Sequence, residues 1–210
     1  MRSDRMRMKN LLQRMALGAA VAVFAAIVYR SIQYVSLDRA VMRHECWTWR
    51  WLPFHAAWIW PYLSMFVLAG LPWFMLPDMR QVRRFAVCLL VMAAVSWILF
   101  LGYPTACARP SADGQPAGYA LLLDLDQANN CLPCLHSAVS VLAAWTLAQG
   151  TAFFQSFAGK ALLMGWLLVI FVSIVALRQH TDSDMLAGVG LGCLSAWRLR
   201  LEPRMGADLR

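Results

Sequence analysis

Five ionisable side chains of this 210-residue chain stand at the edges of apolar runs: Arg109, His136, Arg178, His180 and Asp184. Ionisable groups near membrane depth are costly, so each is a candidate for function. Any one of them alone is unremarkable; their convergence from three segments is the signal. The set suits phosphoryl transfer. Two guanidiniums clamp a phosphate through paired hydrogen bonds. One histidine attacks phosphorus, and the other protonates the leaving oxygen. His180 and Asp184 are spaced i, i+4, which puts carboxylate and imidazole on one face if a helix begins that early. Asp184 would then fix the tautomer of His180. A helix beginning near Leu135, just after Cys134, points free backbone N–H groups at the same anion. No metal and no cofactor is expected, because arginines and a helix N-terminus supply the positive field that a metal supplies elsewhere.

The elements that must position these residues follow from composition. Hydrophobic residues make up 60% of the chain and charged residues 14%, against roughly 25% charged in an average soluble domain. Mean hydropathy is +0.54. A soluble domain of this size cannot hide so much apolar surface, and a disordered chain needs the opposite composition. A bilayer crossing takes roughly 20 apolar residues. The charge-free runs predict an all-α integral membrane bundle of six helices, at about 12–31, 56–76, 85–103, 135–151, 160–178 and 182–200, forming one domain over 1–210. The first run is also readable as a cleaved signal peptide, but Tyr29-Arg30 makes a poor cleavage context. Thirteen of the 19 basic residues fall on the side of the termini: Arg2, Arg5, Arg7, Lys9, Arg14, Arg80, Arg83, Arg84, Lys160, Arg198, Arg200, Arg204 and Arg210. The termini are therefore expected in the cytoplasm and the site on the periplasmic or other extracytoplasmic side, most simply of a bacterial inner membrane. The net charge of +8 is a topology signal and an attraction to anionic membrane lipids, not a nucleic-acid footprint. The tryptophans at 47, 49, 51, 58 and 60 read as an interfacial belt, and Gly188 with Gly192 as a close helix contact.

Three short motifs resemble the integral-membrane type-2 phosphatidic acid phosphatase superfamily, in the branch that includes inositol phosphorylceramide and sphingomyelin synthases. They are Tyr103-Pro104-Thr105 with Arg109-Pro110, then Asn130-Cys131-Leu132-Pro133-Cys134-Leu135-His136, then Arg178-Gln179-His180 with Asp184, Leu186, Ala187 and Gly188. The matched region is about 85–195. The resemblance implies a six-helix fold and a phosphohistidine on His180, oriented by Asp184. It implies His136 as the acid that protonates the leaving group and then activates water or an acceptor hydroxyl. Arg109 would bind the phosphate, helped by Arg178, Cys134 and the amide of Leu135. Gly102 stands where the phosphatases carry a lysine, Cys134 where they carry a serine, Ile174 where their third-motif arginine lies, and Thr181 where an aromatic follows the histidine. The implied substrate is a lipid with a phosphate or phosphodiester head group. Hydrolysis and head-group transfer, as in a sphingolipid- or phosphatidylinositol-type synthase, both remain open.

Cys46, Cys107, Cys131 and Cys134 fall on the same outward side, where an oxidising compartment permits disulfides. A bridge from Cys107 to Cys131 or Cys134 would tie the arginine motif to the histidine motif. The same cysteines support a rival class, a quinone-linked membrane disulfide oxidoreductase, and a purely structural protein with a decayed site is a third. The oxidoreductase leaves Arg109-Pro110 and the His180–Asp184 spacing unexplained, while Cys134 and Gly102 are the best arguments for the decayed site.

Overall fold

The computed structural model of the chain describes residues 2–43 and 46–199, the side chains of residues 2–7 and 43 excepted. It is nearly all helical. Helix α1 spans Arg2–Ser36, α2 Ile59–Met75, α3 Met79–Gly102, α4 Ala117–Leu125, α5 Leu135–Gly150, α6 Ala152–Gln155, α7 Phe157–Ala176 and α8 Asp182–Leu199. Two three-residue strands, β1 Val41–Arg43 and β2 Thr105–Cys107, pair in parallel with Val41 opposite Thr105. No alternating pattern in the sequence announces this ribbon. It joins the connection after α1 to the one after α3.

Four stretches are long and apolar enough to cross a membrane: Met8–Arg39, Ala56–Met75, Met79–Gly102 and Phe157–Ala176. The other two expected helices, α5 and α8, are present but do not reach that length and hydropathy. The reason lies in their position. Helix α5 packs against α2, α3, α7 and α8, so its surroundings are protein on most sides. Its buried hydroxyls are satisfied within the helix: Ser140 Oγ donates to His136 O at 2.8 Å and Thr146 Oγ1 to Leu142 O at 2.7 Å. Helix α8 lies on it through glycines. A Cβ at Gly188 would collide with the Cys134 carbonyl and Ser137 Oγ, and one at Gly192 would stand 2.7 Å from the Ala138 carbonyl. The close-contact reading of that pair holds.

The periphery is apolar. Phe24 and Ile27 on α1, Val91 and Ile98 on α3, and Met164 and Leu168 on α7 are all exposed. Such a surface is costly in water and is what a bilayer requires, so the exterior is compatible with an integral membrane protein.

Helix ends differ from the edges of the charge-free runs because capping, not charge, sets them. Helix α3 begins at Met79 rather than at 85, since the Asp78 carboxylate accepts from Gln81 N at 2.8 Å. Helix α7 begins at Phe157, where Ser156 Oγ accepts from Gly159 N at 3.1 Å. Arg30 does not end α1: its guanidinium donates to Gln33 Oε1 at 2.9 Å and Leu125 O at 2.8 Å while the helix continues to Ser36. Arg14 ties the other end down, donating to Leu76 O and Pro77 O at 2.6 and 3.1 Å. The apolar stretch from Tyr119 to Leu125 forms α4, with Tyr119 and Leu122 buried and Leu121 and Leu125 exposed. Arg200, Arg204 and Arg210, the side chains of Arg2, Arg5, Arg7 and Arg43, and the last residue of the expected sixth helix lie outside the described residues.

Candidate active site

Two helix starts and one helix end meet at the site. Cys134 caps α5: its sulfur accepts from Ser137 N at 3.5 Å and its carbonyl from Ala138 N at 3.2 Å. Its own N–H donates to Asp184 O at 2.9 Å, which stitches the start of α5 to that of α8. His136 follows in the first turn of α5. On the other side, α7 closes with Gln179 N donating to Ile174 O at 3.1 Å, and Arg178 takes a φ of 59°. That left-handed residue turns the chain sharply and carries His180 inward, 3% exposed.

His180 Nδ1 is 2.9 Å from Cys131 O. A carbonyl only accepts, so Nδ1 carries the hydrogen and Nε2 of the neutral ring holds a lone pair. That Nε2 is 2.9 Å from His136 Nδ1, which therefore donates to it. His136 Nε2 is 2.8 Å from Tyr62 Oη. A hydroxyl donates or accepts, so this contact suits His136 in either its neutral or its doubly protonated form. One backbone carbonyl thus sets the tautomers along the line from Cys131 through His180 and His136 to Tyr62.

Asp184 is bound into the start of α8. Its Oδ2 accepts from Thr181 N at 2.9 Å, Thr181 Oγ1 at 2.7 Å and the Cys107 thiol at 3.3 Å, while Asp184 N donates back to Thr181 Oγ1 at 3.4 Å. This is a reciprocal cap at the start of α8. Because α8 begins at Asp182, residue 180 lies outside it and the i, i+4 face relation fails. The Cys131 carbonyl orients His180 through Nδ1.

The two arginines also depart from expectation. Arg109 is buried against Asp126: one terminal nitrogen donates to Asp126 O, and the other lies 3.4 Å from both Asp126 Oδ2 and Gln179 O. Its Nε has no partner among the described residues. Arg178 faces the other way. It sits 4.6 Å over the Trp49 ring and donates to Trp49 O and Leu52 O at 3.3 and 3.2 Å. Its placement as a phosphate clamp is corrected, since it anchors the segment before α2. Trp49 is correspondingly a cation–π partner and not only an interfacial ring. At the start of α5 the amides of Leu135 and His136 find no hydrogen-bond partner among the described residues.

The cysteines separate into two groups. Cys107 and Cys131 lie with Asp184, and Cys134 lies with the two histidines; within each trio the potential ligand atoms are within 4.8 Å of one another. All are free thiols, so the expected Cys107–Cys131 bridge is a neighbourhood without a bond. The Cys131 thiol and burial raise Cys107 above the usual thiol range.

Tyr62 and Asp126 belong to the site and were not singled out in the sequence. Nothing local marks Tyr62, one of five tyrosines in an aromatic-rich chain. Asp126 did carry a signal, being the second of two acids, after Asp124, that end the apolar run of α4. It accepts from Tyr29 Oη at 2.6 Å. Burial alone would raise its carboxyl, but Arg109 and both histidines hold it below the ordinary range. His180 moves the other way: burial depresses it, and the Cys134 sulfur more than offsets that, so the net direction is up.

Scans against models of known families, curated proteins and solved structures find no match to this chain. The geometry itself describes a buried, directional imidazole pair at the N-terminus of an interior helix. Such a pair can supply a nucleophilic nitrogen and a proton donor to one small reacting centre.

Proposed function

We propose that the protein is a membrane phosphoesterase or phosphotransferase that acts on the phosphorylated head group of a lipid through a phosphohistidine on His180. The reading rests on one observation above all, the lone pair of His180 Nε2 held 2.9 Å from His136 Nδ1. A phosphoryl group entering between the rings meets the nucleophile on one side and the acid on the other. His180 Nε2 attacks phosphorus as the P–O bond to the leaving group breaks. Doubly protonated His136 gives its Nδ1 proton to that oxygen and keeps Nε2–H toward Tyr62. Neutral Nδ1 then takes a proton from the acceptor hydroxyl, the new P–O bond forms, and the P–N bond returns its electrons to Nε2. The unpartnered amides of Leu135 and His136 and the Nε of Arg109 are the donors closest in role to an oxyanion hole.

Water as acceptor makes a phosphatase, and a lipid hydroxyl makes a sphingolipid- or phosphatidylinositol-type transferase. The burial of His180 and Tyr62 favours a lipid hydroxyl arriving along the bundle. The resemblance to the type-2 phosphatidic acid phosphatases is part of this reading. So is the finer topology, with α1, α2, α3, α5, α7 and α8 as six spans, both termini cytoplasmic and the site facing outward in a bacterial inner membrane. A disulfide oxidoreductase is less well supported, because Cys131 and Cys134 are engaged in separate trios.

The test is to mix detergent-solubilised protein with phospholipids, with and without ceramide or diacylglycerol, then quench and map phosphate by mass spectrometry. Phosphate is expected on His180, with product lipids that identify the acceptor. His136→Ala should accumulate or slow the phosphoenzyme. Turnover that survives His180→Ala refutes the mechanism.

A further inference from the structure

The same end of the bundle satisfies a second kind of ligand. Cys134 Sγ lies 3.9 Å from His136 Nδ1, His136 Nδ1 lies 2.9 Å from His180 Nε2, and all three atoms fall within 4.8 Å of one another. A tetrahedral zinc ion, with bonds of about 2.0–2.1 Å to nitrogen and about 2.3 Å to sulfur, spaces its ligand atoms roughly 3.3–3.7 Å apart. The trio reaches that spacing if the two rings part by a few tenths of an ångström and the Cys134 sulfur moves in toward both. The surroundings also have the form of an outer shell. Metal-bound histidines characteristically hand their other ring nitrogen to a carbonyl, carboxylate or hydroxyl. Here His180 Nδ1 has the Cys131 carbonyl, His136 Nε2 has the Tyr62 hydroxyl, and the Cys134 sulfur receives the Ser137 N–H.

We propose that Cys134, His136 and His180 form a binding site for a thiophilic divalent ion of the zinc class, and that occupancy shuts the site off. The inhibitory half rests on the phosphohistidine reading; the binding half does not. The ion takes the Nε2 lone pair of His180 that would attack phosphorus. The Cys134 thiol gives up its proton to solvent and binds as thiolate. The proton on His136 Nδ1 moves to Nε2, which then donates to Tyr62 Oη, leaving Nδ1 free to bind. One proton is released per ion when His136 starts neutral. The fourth position is left for water or a phosphate oxygen.

The probe is Co2+ and Zn2+ added to EDTA-treated full-length protein in detergent, without substrate. Expected are one zinc per chain by elemental analysis and a sulfur-to-cobalt charge-transfer band. The band should vanish in Cys134→Ser, and zinc content should fall at least tenfold in Cys134→Ser, His136→Ala and His180→Ala. Matched elution volume and circular dichroism would identify the variants that remain folded. In the phosphoryl-transfer assay zinc should inhibit wild type, with EDTA restoring it. Zinc content that is absent, or equal across wild type and folded variants, overturns the site. Activity that requires zinc overturns the inhibitory role. If wild type shows site-dependent zinc but no phosphoryl transfer in any state, the failure lies with the phosphohistidine reading and the inhibitory half falls with it.

Discussion

At the scale of single residues, the proposed mechanism rests on which atom holds each hydrogen. His180 owes its free Nε2 to a backbone carbonyl, an acceptor that no side-chain substitution removes. Tyr62 is the exchangeable end of the line. Tyr62→Phe leaves the shape but deprives His136 Nε2 of its partner, and a hydrogen bond to a charged group is worth about 1.5–3 kcal/mol. Turnover is expected to fall roughly ten- to hundredfold with little change in KM. A normal rate in a folded Tyr62→Phe protein would remove the tyrosine from the mechanism. The pH profile belongs to this scale too. Attack requires His180 Nε2 unprotonated, and burial, opposed and outweighed by Cys134, shifts this group upward. The acid limb of kcat/KM is expected above the ordinary histidine value of about 6.5; a limb at or below it contradicts the assignment.

At the scale of elements, the site is a junction of helix ends. The Thr181–Asp184 cap starts α8 just late enough to leave His180 outside the helix and turned inward. Cys134 starts α5 two residues before His136. These two starts are bonded to each other through Cys134 N and Asp184 O, and Gly188 lets the backbones touch there. Gly188→Ala is therefore expected to push α8 off the first turn of α5, costing about 1–3 kcal/mol by overpacking. Activity should fall more than stability does, because His136 rides on that turn. Equal thermal stability and activity in Gly188→Ala and wild type would show that the contact does not position the histidine. The Arg109–Asp126 pair joins α1, through Tyr29, to the segment ahead of α5. Burial works against the Asp126 charge, and Arg109, the two histidines and the Tyr29 hydrogen bond together more than restore it, so the folded carboxyl titrates below its unfolded value. Its stabilisation is present above about pH 4 and is lost as pH falls through the folded value. The melting temperature in detergent should drop across that acid window. Asp126→Asn should flatten that step and lower stability at neutral pH, since it leaves the Arg109 charge buried without its counter-ion, a loss of up to about 3–5 kcal/mol.

At the scale of the molecule, apolar helices pack around α5, and α8 lies against it, with the two helix starts forming the proposed site. In the proposed topology, Asp113→Cys on the loop before α4 should react with a membrane-impermeant maleimide added outside intact cells. Gln155→Cys at the opposite end should react only after permeabilisation, and the reverse pattern would invert the chain. Much of this was legible in the sequence. Scarce charge pointed to a membrane-compatible bundle, the uncharged runs located the helices, and His136, His180 and Cys134 stood out as costly or reactive groups at run edges. An apolar helix exterior is a composition effect, so composition reveals it. The partners were not legible. The sequence paired His180 with Asp184 by spacing and gave both arginines to phosphate, but Asp184 caps α8, Arg109 holds Asp126 and Arg178 stacks on Trp49. Hydrogen bonds depend on ångström-scale positions of groups tens of residues apart. They are decided only when α5, α7 and α8 pack and bring Cys131, Tyr62 and the two histidines into one line.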